Sequence, residues 1–247
     1  MSQLQNLEKL NSNVRKIVEP YVEKLIELHD GNLVSIAIYG SAVGKDFIQN
    51  VSDINVVVIL EKADFEDMKK SLELVAKGLK NKIRAPLFLS RDYLSRSVDV
   101  FPIEFFEIKE NHIVVFGQDI FNSLNISHDN LRLFCEQQIK GKWVRINQAY
   151  LEIGLKNKAI ERLLKDSLHQ LFPVFRNILR LKGIKPDVAK IDIIDQVCRE
   201  FQLDADIFIA IVRSKKYNQR IDPAAMESHL KKFLYQIEKL AVHIDRL

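Results

Sequence analysis

Gly40-Ser41 and, eleven residues further on, Ser52-Asp53-Ile54-Asn55 are the residues whose types and spacing could do chemistry. Glycine permits a tight turn and close backbone approach. The serine adds a hydroxyl and free backbone N–H groups at an expected helix start, which together make a seat for phosphate. If Asp53 and Asn55 open a strand, its period of two puts both side chains on one face. Two oxygen-bearing groups would then stand side by side, facing that seat.

The elements that must position them are visible on either side. Ser35-Ile36-Ala37-Ile38-Tyr39 and Val56-Val57-Val58-Ile59-Leu60 are short apolar runs rich in β-branched residues, the pattern of buried strands. The first run delivers Gly40-Ser41 at its end and the second begins just after Asp53. The combined pattern, G-S-x11-D-x-N, resembles the G-S-x(n)-D-x-D motif of the polymerase beta-like nucleotidyltransferase superfamily. That resemblance implies that Gly40 and Ser41 hold the triphosphate of a nucleotide. It also implies that position 53 and position 55 hold divalent metal ions, Mg²⁺ above all. A third carboxylate is expected from a later strand. In such a site two metal ions clamp the attacking and leaving oxygens of phosphoryl transfer. The chain departs from the motif at Asn55, whose amide oxygen is neutral where magnesium sites rely on carboxylates.

The stretch Phe101-Pro102-Ile103-Glu104-Phe105-Phe106-Glu107-Ile108 reads as a further strand over Ile103–Ile108, with Glu104 and Glu107 on opposite faces. The resemblance assigns the third-carboxylate position to Glu104, which would hold metal with Asp53. The alternative is a strand-end carboxylate in water. Lys45, between the two halves of the motif, is either a phosphate ligand or a solvated lysine.

Other elements follow from periodicity. Leu7, Leu10, Val14, Val18, Tyr21, Val22, Leu25 and Leu28 predict a helix over about 4–29, kinked or split at Pro20. Phe65, Met68, Leu72, Val75, Ala76 and Leu79 predict an amphipathic helix covering one sheet face. Pro86–Ser90 reads as a short strand and Arg91–Ser97 as a helical turn. The stretch 111–121 reads as a closing hairpin or turn. Beyond a polar stretch at Asn122–His128, with Ser127 as a helix N-cap, helical patterns alone continue. They fall at about 128–150, 156–181, 188–201, 204–213 and 223–246. Asp204 and the Ile221-Asp222-Pro223 sequence mark helix starts. The expected architecture is α/β (α+β): a mixed-sheet nucleotidyltransferase-like domain over residues 1–127 and a C-terminal α-helical bundle over 128–247. The cleft between them is the expected ligand site, as it often is for small molecules.

Length, 247 residues, agrees with two domains, and 47% hydrophobic with 28% charged residues is an ordinary globular composition. No run approaches the roughly 18 apolar residues that span a bilayer, so no membrane partner is expected. The two cysteines, Cys135 and Cys198, lie far apart in helical patterns and read as reduced, which suits a cytoplasmic location. The net charge of +4 is uneven: residues 1–127 hold 15 Lys+Arg against 18 Asp+Glu, and residues 128–247 hold 22 against 15. The basic half suits an anionic partner or a solvated surface, and nucleic acid is the weaker choice. A homo-oligomer is compatible with the sequence.

Two functions stay open. One is transfer of a nucleoside monophosphate from an NTP to a hydroxyl of a small molecule or protein, with Asp53, Asn55 and Glu104 as the catalytic set. In kanamycin-type relatives a glutamate of the helical domain is the general base, and Glu136 and Glu152 are the candidates here. The other is a catalytically degenerate relative that binds a nucleotide or a partner as a sensor or interaction module.

Overall fold

The computed structural model describes residues 4–44, 47, 52–187, 189–216 and 223–247. Lys45 and the Ile221-Asp222 helix start lie outside the described residues. The chain divides into two compact units, Met1–Ile126 and Ser127–Leu247.

The first unit is built on a four-stranded mixed sheet. Its strands are β1 (Leu33–Tyr39), β2 (Asn55–Leu60), β3 (Leu87–Ser90) and β4 (His112–Gly117), in the order β3-β2-β1-β4. β1 runs antiparallel to β2 and β4, while β3 is parallel to β2. Both faces are covered, which is why the strands read as unbroken apolar runs. Ile36, Ile38, Val56, Val58 and Leu60 belong to one core with Val14, Val18 and Val22. Ala37, Val57, Ile59 and Leu89 belong to the other, with Leu94, Phe105 and Ile108. Each fully buried Val, Leu, Ile or Phe side chain among them contributes about 1.5–3 kcal/mol.

Helix α1 (Ser12–Leu28) supplies the first cover, with Asn11 capping it by accepting from the Asn13 N–H at 2.9 Å. It is shorter than the periodicity predicts. Leu7–Lys9 form only a 3-10 turn, and Leu10 is extended, because the preceding segment is drawn to the free edge of β4. There the Gln5 N–H donates to the Val115 carbonyl and Asn6 Nδ2 to the Val114 carbonyl, both at 2.9 Å. Pro20 does not split α1. It lies on the exposed face of the helix.

The expected single helix over 65–79 is two, α2 (Phe65–Lys70) and α3 (Leu72–Lys80), joined at Ser71. Its apolar stripe does not cover the sheet: Phe65, Met68, Leu72 and Leu79 are exposed. The inward face carries Asp67, Ser71 and Gly78 instead. His29, buried at the end of α1, accounts for this inversion: its Nε2 meets Ser71 Oγ at 2.8 Å and its Nδ1 lies 3.8 Å from Asp67. Gly78 lets α3 close on Tyr21, since a Cβ there would stand 2.7 Å from the ring.

The stretch read as a strand at Ile103–Ile108 is helix α5 (Pro102–Glu110), which follows α4 (Arg91–Arg96). Pro102 at the first helical position fixes the backbone angle for a helix and needs no N–H partner. Ile103, Phe105 and Ile108 are buried, and Phe105 and Ile108 join the second core. The 111–121 stretch is not a closing turn alone, because β4 pairs with β1 as an edge strand of the sheet.

The second unit is helical throughout its described residues. Helices α6 (His128–Ile153), α7 (Asn157–Leu181), α8 (Lys190–Glu200), α9 (Asp206–Lys216) and α10 (Met226–Ile244) pack on one another. Ser127 caps α6 and Asp204 accepts from the Asp206 N–H ahead of α9. Phe172, Phe175, Phe208 and Phe233 form a chain of edge-to-face contacts through its core. Cys135 and Cys198 are buried and unpaired, and burial pushes both thiols up to about 12. No helix among the described residues is long and apolar enough to cross a membrane.

Candidate functional site

β1 ends in the turn that the sequence marks. Gly40 takes φ +76°, a conformation costly for any residue with a Cβ, and its N–H donates to the Asn111 carbonyl at 2.9 Å. Among the described residues no α-helix directly follows the turn. Gly40–Ala42 form a single 3-10 turn closed by the Val43 and Gly44 N–H groups on the Gly40 and Ser41 carbonyls. Ala42 is buried and anchors the turn in the first core, while Ser41 is exposed.

β2 brings its first residues to the same place, because Tyr39 pairs with Asn55 across the antiparallel ladder. The Asn55 amide lies over Gly40, so close that a Cβ on Gly40 would stand 3.2 Å from Nδ2. Asp53 precedes the strand proper. Ile54 is held by a parallel bridge to Ile83: its N–H donates to the Lys82 carbonyl at 2.8 Å, and the Arg84 N–H donates back to its carbonyl at 3.0 Å. Ile54 and Ile83 are both buried in the first core. Their neighbours Asp53 and Arg84 accordingly emerge on the other face, where Arg84 Nε donates to Asp53 Oδ2 at 2.9 Å. The Arg84 charge also reaches Tyr39: burial raises the pKa of the phenol and the guanidinium draws it part of the way back.

Gly40, Ser41, Asp53 and Asn55 thus converge at one end of the sheet, and Arg84 joins them unannounced. Glu104 is placed otherwise. It lies exposed in the first turn of α5, so the strand alternation that turned it towards Asp53 has no strand to act on. The strand that flanks β2 on the side away from β1 is β3, and its approach presents Arg84 to Asp53. A base stands where the resemblance leads one to expect an acid. The signal was present as Lys82-Ile83-Arg84 ahead of a Pro86 strand, but only the parallel pairing with β2 gives it meaning.

Among the described residues the donor set does not fit a pair of divalent metal ions. Magnesium demands near-octahedral oxygen ligation and one or two carboxylates. Asp53 is a single carboxylate with a guanidinium on one oxygen, and Asn55 is neutral. Among the described residues no group of three or more His, Cys, Asp or Glu side chains could hold a metal ion. In the second unit Glu136 is held between Arg132, at 3.1 Å, and Lys140, and Glu152 is exposed.

No protein-family model matches the chain, and no curated protein matches it. Solved structures do. Spectinomycin adenyltransferase AAD(9) from Enterococcus faecialis, solved with ATP and spectinomycin, is similar to it with a TM-score of 0.56 at 11% identity. That likeness covers 91% of this chain and 98% of that one. A nucleotidyltransferase-like protein from Exiguobacterium sibiricum matches with a TM-score of 0.42 and 13% identity, over 92% of this chain and 75% of that one. The chain has the nucleotidyltransferase fold.

Proposed function

We propose that this chain binds a nucleoside triphosphate through the Gly40–Ser41 turn and works as a nucleotide-responsive module without metal-dependent transfer. The observation that carries the reading is the packing of the Asn55 amide over Gly40, which joins the turn to the start of β2. A phosphate lying there meets the exposed Ser41 hydroxyl, the Asn55 amide and the cation of Arg84. Nucleotide rather than another phosphate ester is supported by the fold, shared with a protein whose structure contains ATP.

The choice between transfer and binding alone turns on the donor set. Two-metal transfer needs carboxylates that bridge both ions, and the described residues offer Asp53 alone at this place. A second reading keeps its own support: AAD(9) is an adenyltransferase, and the likeness spans nearly its whole length. On that reading the chain moves a nucleoside monophosphate from an NTP to a hydroxyl of a small molecule.

The test is ATP affinity in variants of the turn. Gly40→Val forces a branched side chain into φ +76° and against Asn55, and abolishes binding. Ser41→Ala weakens it by about 0.5–1.5 kcal/mol, one hydrogen bond's net worth. Unchanged affinity in both variants removes the nucleotide from this turn. Turnover of ATP that requires Mg²⁺ favours the transferase instead.

A further inference from the structure

The misfit between this donor set and a pair of metal ions has a physical counterpart. The place a metal ion would take beside Asp53 is taken by a side-chain cation. A magnesium ion sits about 2.0–2.1 Å from a carboxylate oxygen. Arg84 Nε already stands 2.9 Å from Oδ2, so a metal ion on Asp53 would share the carboxylate with a guanidinium and be repelled by its charge. We propose that Arg84 is the site's resident cation, and that a nucleotide's triphosphate displaces Asp53 from it, so that binding needs no divalent metal. This rests on the reading that the phosphates sit at Gly40–Ser41.

Three features support the assignment. The first is that Arg84 is placed by the backbone: the hydrogen bonds between 82, 54 and 84 fix which face its side chain leaves from, and that is the face of Asn55 and Tyr39. The second is that its side chain is 69% exposed, within reach of a ligand while still paired. The third is chemical. A guanidinium carries five N–H donors in a planar fork that matches phosphate oxygens two at a time, and it keeps its charge at any working pH. The pair with Asp53 is made through Nε. An exposed ion pair of this kind is weakly held, which suits a cation that changes partners.

The arrangement gives Asp53 a role opposite to that of a metal ligand. In a metal site its charge recruits the ion and so the phosphates. Here its charge competes with the phosphates for Arg84 and repels them. Neutralising it must therefore tighten binding, where neutralising a metal ligand would weaken it.

Calorimetric titration in EDTA, with ATP and with inorganic tripolyphosphate as probes, reads that sign. Removing one unit charge a few Å from the phosphates in high dielectric gives about a fivefold gain in affinity for Asp53→Asn. Arg84→Gln loses about tenfold for either probe, the lower end for a charge-assisted hydrogen bond. Arg84→Lys retains part of the affinity, because it keeps the charge and loses the fork. Thermal melts verify that these exposed substitutions leave the fold intact. Weaker binding in Asp53→Asn, unchanged binding in Arg84→Gln, or a gain confined to ATP and absent with tripolyphosphate overturns the proposal. So does wild-type binding that appears only with Mg²⁺, and that result leaves the nucleotide reading standing. Absence of binding of either probe with and without Mg²⁺ overturns both.

Discussion

Replacing Asn55 by Asp restores the paired carboxylates of the motif, and the structure says what that alone achieves. Alternate residues on one strand face stand roughly 7 Å apart. Two carboxylates at that distance repel by about 0.6 kcal/mol in water. Arg84, with its charge roughly 4 Å from that of Asp53, attracts by about 1 kcal/mol on the same scale. That attraction is already present in the wild type, so Asn55→Asp costs at most about 0.6 kcal/mol, and the guanidinium still holds one of the two Asp53 oxygens and repels a metal ion beside it. Asn55→Asp with Arg84→Gln is different. It leaves the repulsion uncompensated and costs about 1.5 kcal/mol, on the order of 4 °C in melting temperature for a chain of this size. It also opens a two-carboxylate site. With about 10 mM Mg²⁺ and a Kd of about 1 mM, binding returns about 1.4 kcal/mol, so the double variant regains most of what it lost. The assay is a set of thermal melts of the wild type, both single variants and the double variant, with and without Mg²⁺. If Asn55→Asp alone is stabilised by Mg²⁺ as much as the double variant, Arg84 does not stand in the metal's way and the reasoning fails.

His29 predicts a pH dependence. Burial lowers its pKa from 6.5, opposed by Asp67 and helped by Lys70, so the unfolded chain takes up a proton that the native ring refuses. Stability is therefore full above about pH 6.5 and falls as the pH drops through it, by at most about 1.4 kcal/mol per pH unit. Asp67, whose pKa lies below its ordinary value of 3.8 despite burial because Lys70 and the Asp64 N–H hold its carboxylate, adds a loss in stronger acid. Chemical denaturation between pH 5 and 8 should show a shallower slope for His29→Gln, and an identical slope refutes the assignment. Cys135 and Cys198, with thiols pushed up to about 12, should resist a thiol reagent in the native chain and react once it unfolds. Rapid native labelling of either would contradict their burial.

What could be read in the sequence followed from local physics. β1 and β2 are legible because strands buried on both faces become β-branched runs, and Gly40 marks the turn because its φ of +76° suits glycine. The misreadings lie where local pattern and tertiary partner conflict. Ile103, Phe105 and Glu104 mimic strand alternation, yet Pro102 and the buried Phe105–Ile108 pair belong to a helix packed on the second core. The stripe Phe65-Met68-Leu72-Leu79 gives helical periodicity correctly and the wrong face, since a polar cluster around His29 holds the inward side. Arg84 could not be found from neighbours in sequence. Its meaning comes from an ion pair across 31 residues, set by the parallel bridge of Ile54 to Ile83, and no motif encodes that distance.

A crystal structure of the chain grown with ATP in EDTA tests the central claim most directly. The account predicts the triphosphate between the Gly40–Ser41 turn and the Arg84 guanidinium, with Asp53 turned away from both. Triphosphate bound elsewhere, or Asp53 still paired with Arg84 while ATP is seated at the turn, would contradict it.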